Sequence, residues 1–149
     1  MSEDQAAAPV AAAEEVPRHP SVNPDGWMRA RGFSHGVIAK GRTLSLAGQI
    51  GWLPETQEFA TDDFAGQCEQ ALKNIVTLLE AAGAVPENLT RLTWYITNRA
   101  HYMVAKKQLG AIYKAVMGNT YPPMSVIIVA GLLEPRAKVE IEATAQVPY

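Results

Sequence analysis

Residues 138–147 read KVEIEATAQV, and this pattern decides how the rest of the chain is arranged. Val139, Ile141, Ala143 and Ala145 fall on one side of an extended backbone, and Glu140, Glu142, Thr144 and Gln146 on the other, because successive strand side chains point to opposite faces. Such alternation predicts a strand with one face buried and one face wet. Residues 89–97, LTRLTWYIT, repeat it: Leu92, Trp94 and Ile96 share one face, and Arg91, Thr93, Tyr95 and Thr97 the other. Between the two lie residues 124–130, MSVIIVA, an unbroken apolar run of strand length that predicts burial on both faces.

Helices separate these strands. Across 62–82, Phe64, Cys68, Leu72, Ile75 and Leu79 recur every three or four residues and form one apolar stripe. Asp62 or Asp63 suits the start of that helix, and Gly83 follows its last turn. A second helix is predicted over 100–117, with Val104, Leu109, Ile112 and Val116 as its buried row and Gly118-Asn119 as its end. Upstream, residues 36–48 (GVIAKGRTLSLAG) predict a hairpin, with 37–38 and 43–47 as strands and Lys40-Gly41-Arg42 as the turn. Residues 48–62, punctuated by Gly48, Gly51 and Pro54, read as loop. The order β-β-α-β-α-β-β predicts an α+β domain, a mixed sheet with two helices on one face. The other face carries Thr93, Tyr95, Thr144 and two carboxylates beside apolar residues of 124–130. Cover by another copy, with clefts between chains, accounts for those apolar residues without a second helical layer.

The 149 residues suffice for one domain with one core, and 48% hydrophobic with 19% charged residues is an ordinary globular composition. Net charge is -2 and no basic run exceeds Lys106-Lys107, which argues against a nucleic-acid partner. Cys68 is the sole cysteine, so an intrachain disulfide is excluded, and a reducing, cytoplasmic setting fits. No apolar run approaches the roughly 20 residues that span a bilayer, so no membrane partner is expected. The start, MSEDQAAAPVAAAEEVPRHP, is acidic and lacks the basic and long apolar regions of a secretory leader. Residues 1–22 read as a flexible N-terminal arm and 23–149 as the folded domain.

Five segments, LSLAGQIGWLPETQEF, QCEQALKNIVTLLEAAGA, LTRLTWYIT, TYPPMSVIIVAGL and VEIEATA, occur in one order across residues 32–147. In that order and near that spacing the chain resembles the RidA/YjgF family of enamine/imine deaminases. The resemblance implies a chorismate-mutase-like α+β fold and a homotrimer with three small-molecule clefts between adjacent subunits. It also implies hydrolysis of 2-aminoacrylate and related 2-imino acids to 2-oxo acids and ammonia, with no metal or organic cofactor. An arginine of a Y-P-x-R-S stretch holds the substrate carboxylate in that family, and a glutamate positions or activates water. Here the stretch reads Tyr121-Pro122-Pro123-Met124-Ser125, so Met124 stands at the arginine's place, and the glutamate corresponds to Glu140. Other positions depart too. Ala47 replaces the usual serine while Gly48 is kept, Phe33 stands for a loop tyrosine, and Gly110 for a helix asparagine.

A guanidinium binds a carboxylate through two parallel charge-assisted hydrogen bonds, whereas methionine offers a weak sulfur acceptor and no donor. Met124 therefore turns a carboxylate-binding pocket into a more apolar one unless Arg31, Arg91 or Arg136 substitutes. The candidate site comprises Glu140 as catalytic residue, with Phe33, His35, Gly48, Trp52, Tyr121, Met124 and Ser125 for substrate binding and no metal. Each has a plainer reading. Glu140 is a general acid/base or a solvated strand carboxylate, alone or paired with Glu142. His35 protonates a leaving group or is structural. Trp52 roofs the cleft or covers an edge, and Tyr121 points into the pocket or packs. His19 and His101 are expected at the surface and Cys68 in the core, and Ser125 has no base nearby in sequence to form a triad. Three functions stay open: a hydrolase or deaminase of an imine, enamine or other unsaturated metabolite; a non-catalytic trimer that binds a metabolite or partner; and a tautomerase- or lyase-like activity.

Overall fold

The computed structural model describes residues 18–148. The strands are β1 (Ser21–Val22), β2 (Gly36–Val37), β3 (Arg42–Ile50), β4 (Trp52–Leu53), β5 (Glu58–Phe59), β6 (Leu89–Ile96), β7 (Met124–Ile128) and β8 (Val139–Val147). The helices are α1 (Phe64–Ala81) and α2 (Arg99–Met117). A four-stranded sheet has the order β3-β8-β6-β7, antiparallel except for β6 and β7, which the α2 crossover leaves parallel. Both helices cover one face, giving the expected α+β architecture.

Helix α1 begins where the sequence supplies a cap: Asp63 Oδ2 accepts the Gly66 amide at 2.9 Å. It ends at Gly83, whose φ of 72° is a left-handed conformation that suits glycine. The predicted stripe of Phe64, Cys68, Leu72, Ile75 and Leu79 is buried against the alternating row Val139, Ile141, Ala143 and Ala145 of β8. Gln67 locks the two elements in register: its amide nitrogen donates to the Thr61 and Arg136 carbonyls, and its oxygen accepts the Lys138 amide at 2.8 Å. A buried amide with all these partners satisfied costs the core little.

Four expectations need correction. The predicted hairpin around residues 40–42 does not form. Segment 36–37 pairs with Ser21–Val22, and the Ile38 amide bonds the Pro20 carbonyl at 2.9 Å. β3 pairs instead with β8, where Leu44 and Leu46 meet Ala145 and Ala143 on the helix side, a longer ladder than a local hairpin offers. Residues 48–62 are not all loop, since β3 runs to Ile50 and β4 and β5 form a small hairpin. In α2 the predicted Leu109 is buried and Ile112 and Val116 are partly buried against the core, but Val104 is 89% exposed, and Tyr113 and Met117 complete the buried row. Val104 thus falls off the face that α2 turns to the core. Strand β7 is not buried on both faces: it is the sheet edge, and Val126, Ile127 and Ile128 are 40%, 44% and 53% exposed. Of the predicted N-terminal arm, residues 1–17 lie outside the described residues. His19 Nε2 sits 3.0 Å from the Asn88 carbonyl, and β1 occupies 21–22.

Candidate functional site

The sequence-predicted residues, Trp52 excepted, gather in two places on opposite sides of the sheet. On the helix side a groove of about 410 Å³ runs between α2, the β6–β7 edge and the loop around residue 32. Helix α2 contributes Tyr102, Lys106, Leu109, Gly110 and Tyr113, residues three to four apart that share one face. Met124 pairs with Leu92 in register, and Leu92 faces the helices, so Met124 points to the same side and packs at the core margin. Tyr121 stacks on Tyr113 with ring centroids 5.2 Å apart. Burial raises the Tyr113 phenol well above its usual 10.0, and its hydroxyl donates to the Thr120 carbonyl. Phe33 reaches the groove because Ser34 holds its loop: the Ser34 amide bonds the Pro122 carbonyl at 3.3 Å, and its hydroxyl bonds the Tyr121 carbonyl at 2.6 Å. The Pro122-Pro123 step also directs β7, since the Pro123 carbonyl accepts the Leu92 amide at 3.0 Å.

His35 sits behind this wall. Its ring meets Phe33 and Trp27 edge-on at 5.3 and 5.1 Å, and Nε2 lies 3.2 Å from the Met28 carbonyl. It lines a neighbouring cavity of about 590 Å³ that shares Phe33 and Tyr121 with the groove. The structure thus brings Phe33, Tyr121 and Met124 together, with His35 adjacent.

Glu140 lies on the other face. It pairs with Tyr95 across β6, and Glu142 pairs with Thr93. The Tyr95 hydroxyl donates to Glu142 Oε1 at 2.7 Å, and that bond, ahead of burial, raises the phenol above 10.0. Beside Glu140 the β3–β8 register shifts between Leu46 and Gln49, and Gly48 sits in the irregularity. A Cβ on Gly48 would stand 2.1 Å from Glu140 Oε1, so only glycine lets the carboxylate rest against this backbone. Ser125, in register with Thr93, also lies on this face. Trp52 belongs to neither place: it pairs with Phe59 in the β4–β5 hairpin, with ring centroids 6.1 Å apart.

Of the three arginines considered as replacement anchors, Arg136 is engaged elsewhere, 2.8 Å from Asp62 and 5.1 Å above the Phe59 ring. This pair holds the Asp62 carboxyl below its ordinary 3.8. Arg91 projects from β6 without reaching the groove, and Arg31 lines it. Sequence reading missed Lys106, Trp94 and Tyr113 as groove residues. The spacing of 102, 106, 109, 110 and 113 was the available signal, but the face of α2 turned to the sheet cannot be fixed from its weak apolar stripe.

Residues 27–147 match the family described as Endoribonuclease L-PSP. Over 113 residues the chain is 30% identical to the human 2-iminobutanoate/2-iminopropanoate deaminase, covering 76% of this chain and 78% of that one. It is 33% identical over 109 residues to Reactive Intermediate Deaminase A, chloroplastic, of Arabidopsis thaliana, covering 73% of this chain and 56% of that longer protein. Its fold superposes on the crystal structure of YyfB from Yersinia pestis, described as a protein of unknown function of the conserved Rid family, with a TM-score of 0.75. That pair is 35% identical and covers 88% of this chain and 100% of the other. The chain therefore belongs to the Endoribonuclease L-PSP family, that of the RidA, YjgF and RutC proteins.

Proposed function

We propose that this protein is a deaminase-type hydrolase whose site is more apolar than one built for 2-aminoacrylate, and that it acts on an imine, enamine or other unsaturated metabolite. The observation that carries this reading is the seat of Glu140 on Gly48, which leaves Oε1 against bare backbone at a sheet irregularity. In the proposed reaction the Glu140 carboxylate takes a proton from water as the water oxygen attacks the imine carbon. It then returns that proton to nitrogen to give the neutral carbinolamine, and transfer of the hydroxyl proton to nitrogen, again through Glu140, lets the C–N bond break to give ammonia and a carbonyl. Met124, Tyr121 and Phe33 form an apolar and aromatic wall for the substrate body.

Within one chain Met124 and Glu140 face opposite sides of the sheet, so a site that uses both takes them from neighbouring copies. The exposed apolar side chains of β7 supply a surface for such an assembly, and a homotrimer with clefts between subunits, which the family resemblance implies, is the assembly proposed. Removing a carboxylate's cationic anchor from a desolvated site costs on the order of 2–5 kcal/mol, or roughly 30- to several-thousand-fold in affinity.

Ammonia release from freshly generated 2-iminopropionate, compared with imines bearing larger apolar groups, tests the reading. We expect weak acceleration of the small imine and stronger acceleration of the larger ones. Glu140→Gln should lower the rate by about 10²–10⁴-fold, the usual contribution of a general base. Met124→Arg should shift preference toward 2-iminopropionate. If no imine or enamine reacts faster than it does spontaneously, the hydrolase reading fails and a ligand-binding trimer takes its place.

A further inference from the structure

We infer that the Met124 groove binds an amphiphilic monocarboxylate in reversed polarity, apolar body against Met124 and carboxylate outward to Arg31 and Lys106. This rests on the reading that the groove is part of the substrate site, and it names the substrate class.

Three observations converge. First, the groove lining contains two cations, Arg31 and Lys106, and no acidic residue, while the remaining side chains are aromatic or aliphatic. Neither cation is salt-bridged among the described residues, and both stand exposed at the rim. Positive charge thus stands at the groove mouth, while the strand position held by Met124 carries none. Second, Trp94 and Leu109 line the groove at 5% and 7% exposure beside the half-buried Met124, an apolar floor that suits the body of such a ligand. Third, Gly110 lies inside α2, where glycine costs about 0.5–1 kcal/mol relative to alanine. A Cβ there would meet no atom within 4 Å, so nothing in the chain's own packing requires glycine. What it preserves is open space in front of the helix. At about 410 Å³ the groove falls in the range of clefts that take ligands larger than a three-carbon acid.

The test uses the full chain carrying Glu140→Gln, so that binding is read apart from chemistry. The probes are 4-phenylbutyrate and its uncharged amide, titrated calorimetrically. We expect the carboxylate to bind about tenfold more tightly than the amide, with the difference shrinking as salt rises. Arg31→Gln or Lys106→Gln should each weaken the carboxylate about threefold and the pair about tenfold, with the amide unchanged, as expected for exposed charges. Gly110→Leu should weaken both probes by filling the groove. All three positions are exposed in the chain, and an unchanged thermal midpoint checks each fold. Equal affinity for acid and amide, no effect of the double variant, or no binding of either probe would overturn the inference. Those results with imine hydrolysis intact in the unaltered protein leave the hydrolase reading standing; charge-selective binding without hydrolysis sinks that reading and keeps this one.

Discussion

Strands β7 and β8 are both rich in apolar residues and meet different environments. In β8 every second residue is polar, and Val139, Ile141 and Ala145 vanish beneath α1. In β7 Val126, Ile127 and Ile128 are consecutive apolar residues, and all three lie exposed at the sheet edge. An alternating strand declares which face is wet. A continuous apolar strand does not, because burial inside one chain and cover by another chain select the same residues. An uncovered edge of this kind invites pairing, which natural proteins manage by covering it. The difference therefore separates a surface that stabilises the single chain from one available for assembly.

Ile141→Ala should break the comparison most severely. It deletes a fully buried side chain at the sheet centre and should cost about 2–5 kcal/mol in urea unfolding. Ile127→Ala, measured at concentrations dilute enough to keep chains separate, should change stability by less than about 0.5 kcal/mol, as at an ordinary surface site. Ile127→Lys should instead shift sedimentation toward the single chain. If Ile127→Ala costs as much as Ile141→Ala in dilute solution, β7 is covered by its own chain and the contrast is void.

The same contrast explains what was legible in the sequence. The faces of β6 and β8, the stripe of α1 and the Asp63 cap were readable because each signal is local and repeats along its own element. The hairpin was misread because Thr43 to Ala47 alternate equally well beside any partner. The partner is β8, about a hundred residues away, as the Gln146–Thr43 side-chain bond at 2.8 Å illustrates. The same distance hid the engagement of Arg136 by Asp62, 74 residues upstream, which leaves Arg31 as the arginine at the groove. The relative sides of Met124 and Glu140 depend on how β7 pairs with β6, Leu92 opposite Met124, and no residue pattern encodes that register.

Gly48→Ala probes the open face at its tightest point. The added methyl overlaps the Glu140 carboxylate, and overpacking of this kind costs about 1–3 kcal/mol. Glu140→Ala in the same chain should recover most of that loss, giving a coupling energy of about 0.5–3 kcal/mol in a double-mutant cycle. Additive effects would show that the carboxylate swings away freely, and its seat would then have no bearing on catalysis.

The smallest effect reads the dryness of the covered face. Cys68 on α1 is fully buried, and burial pushes its thiol from 9.0 up to about 12. Tyr95 on the open face is also raised, but first through its bond to Glu142. For Cys68 the protonated thiol is the form the fold favours. Its contribution is therefore complete below pH 9.0, where the unfolded thiol is also neutral, and is lost as pH climbs toward about 12. The stability difference between the unaltered chain and Cys68→Ala should stay flat up to about pH 8. It should then fall by about 1.4 kcal/mol by pH 10, at 1.36 kcal/mol per pH unit once the unfolded thiol ionises. Iodoacetamide at pH 8 should label the folded thiol only at the rate of chain opening. A flat difference through pH 10, or prompt labelling, would mean that water reaches the α1–β8 layer and that the two faces differ less than their residues suggest.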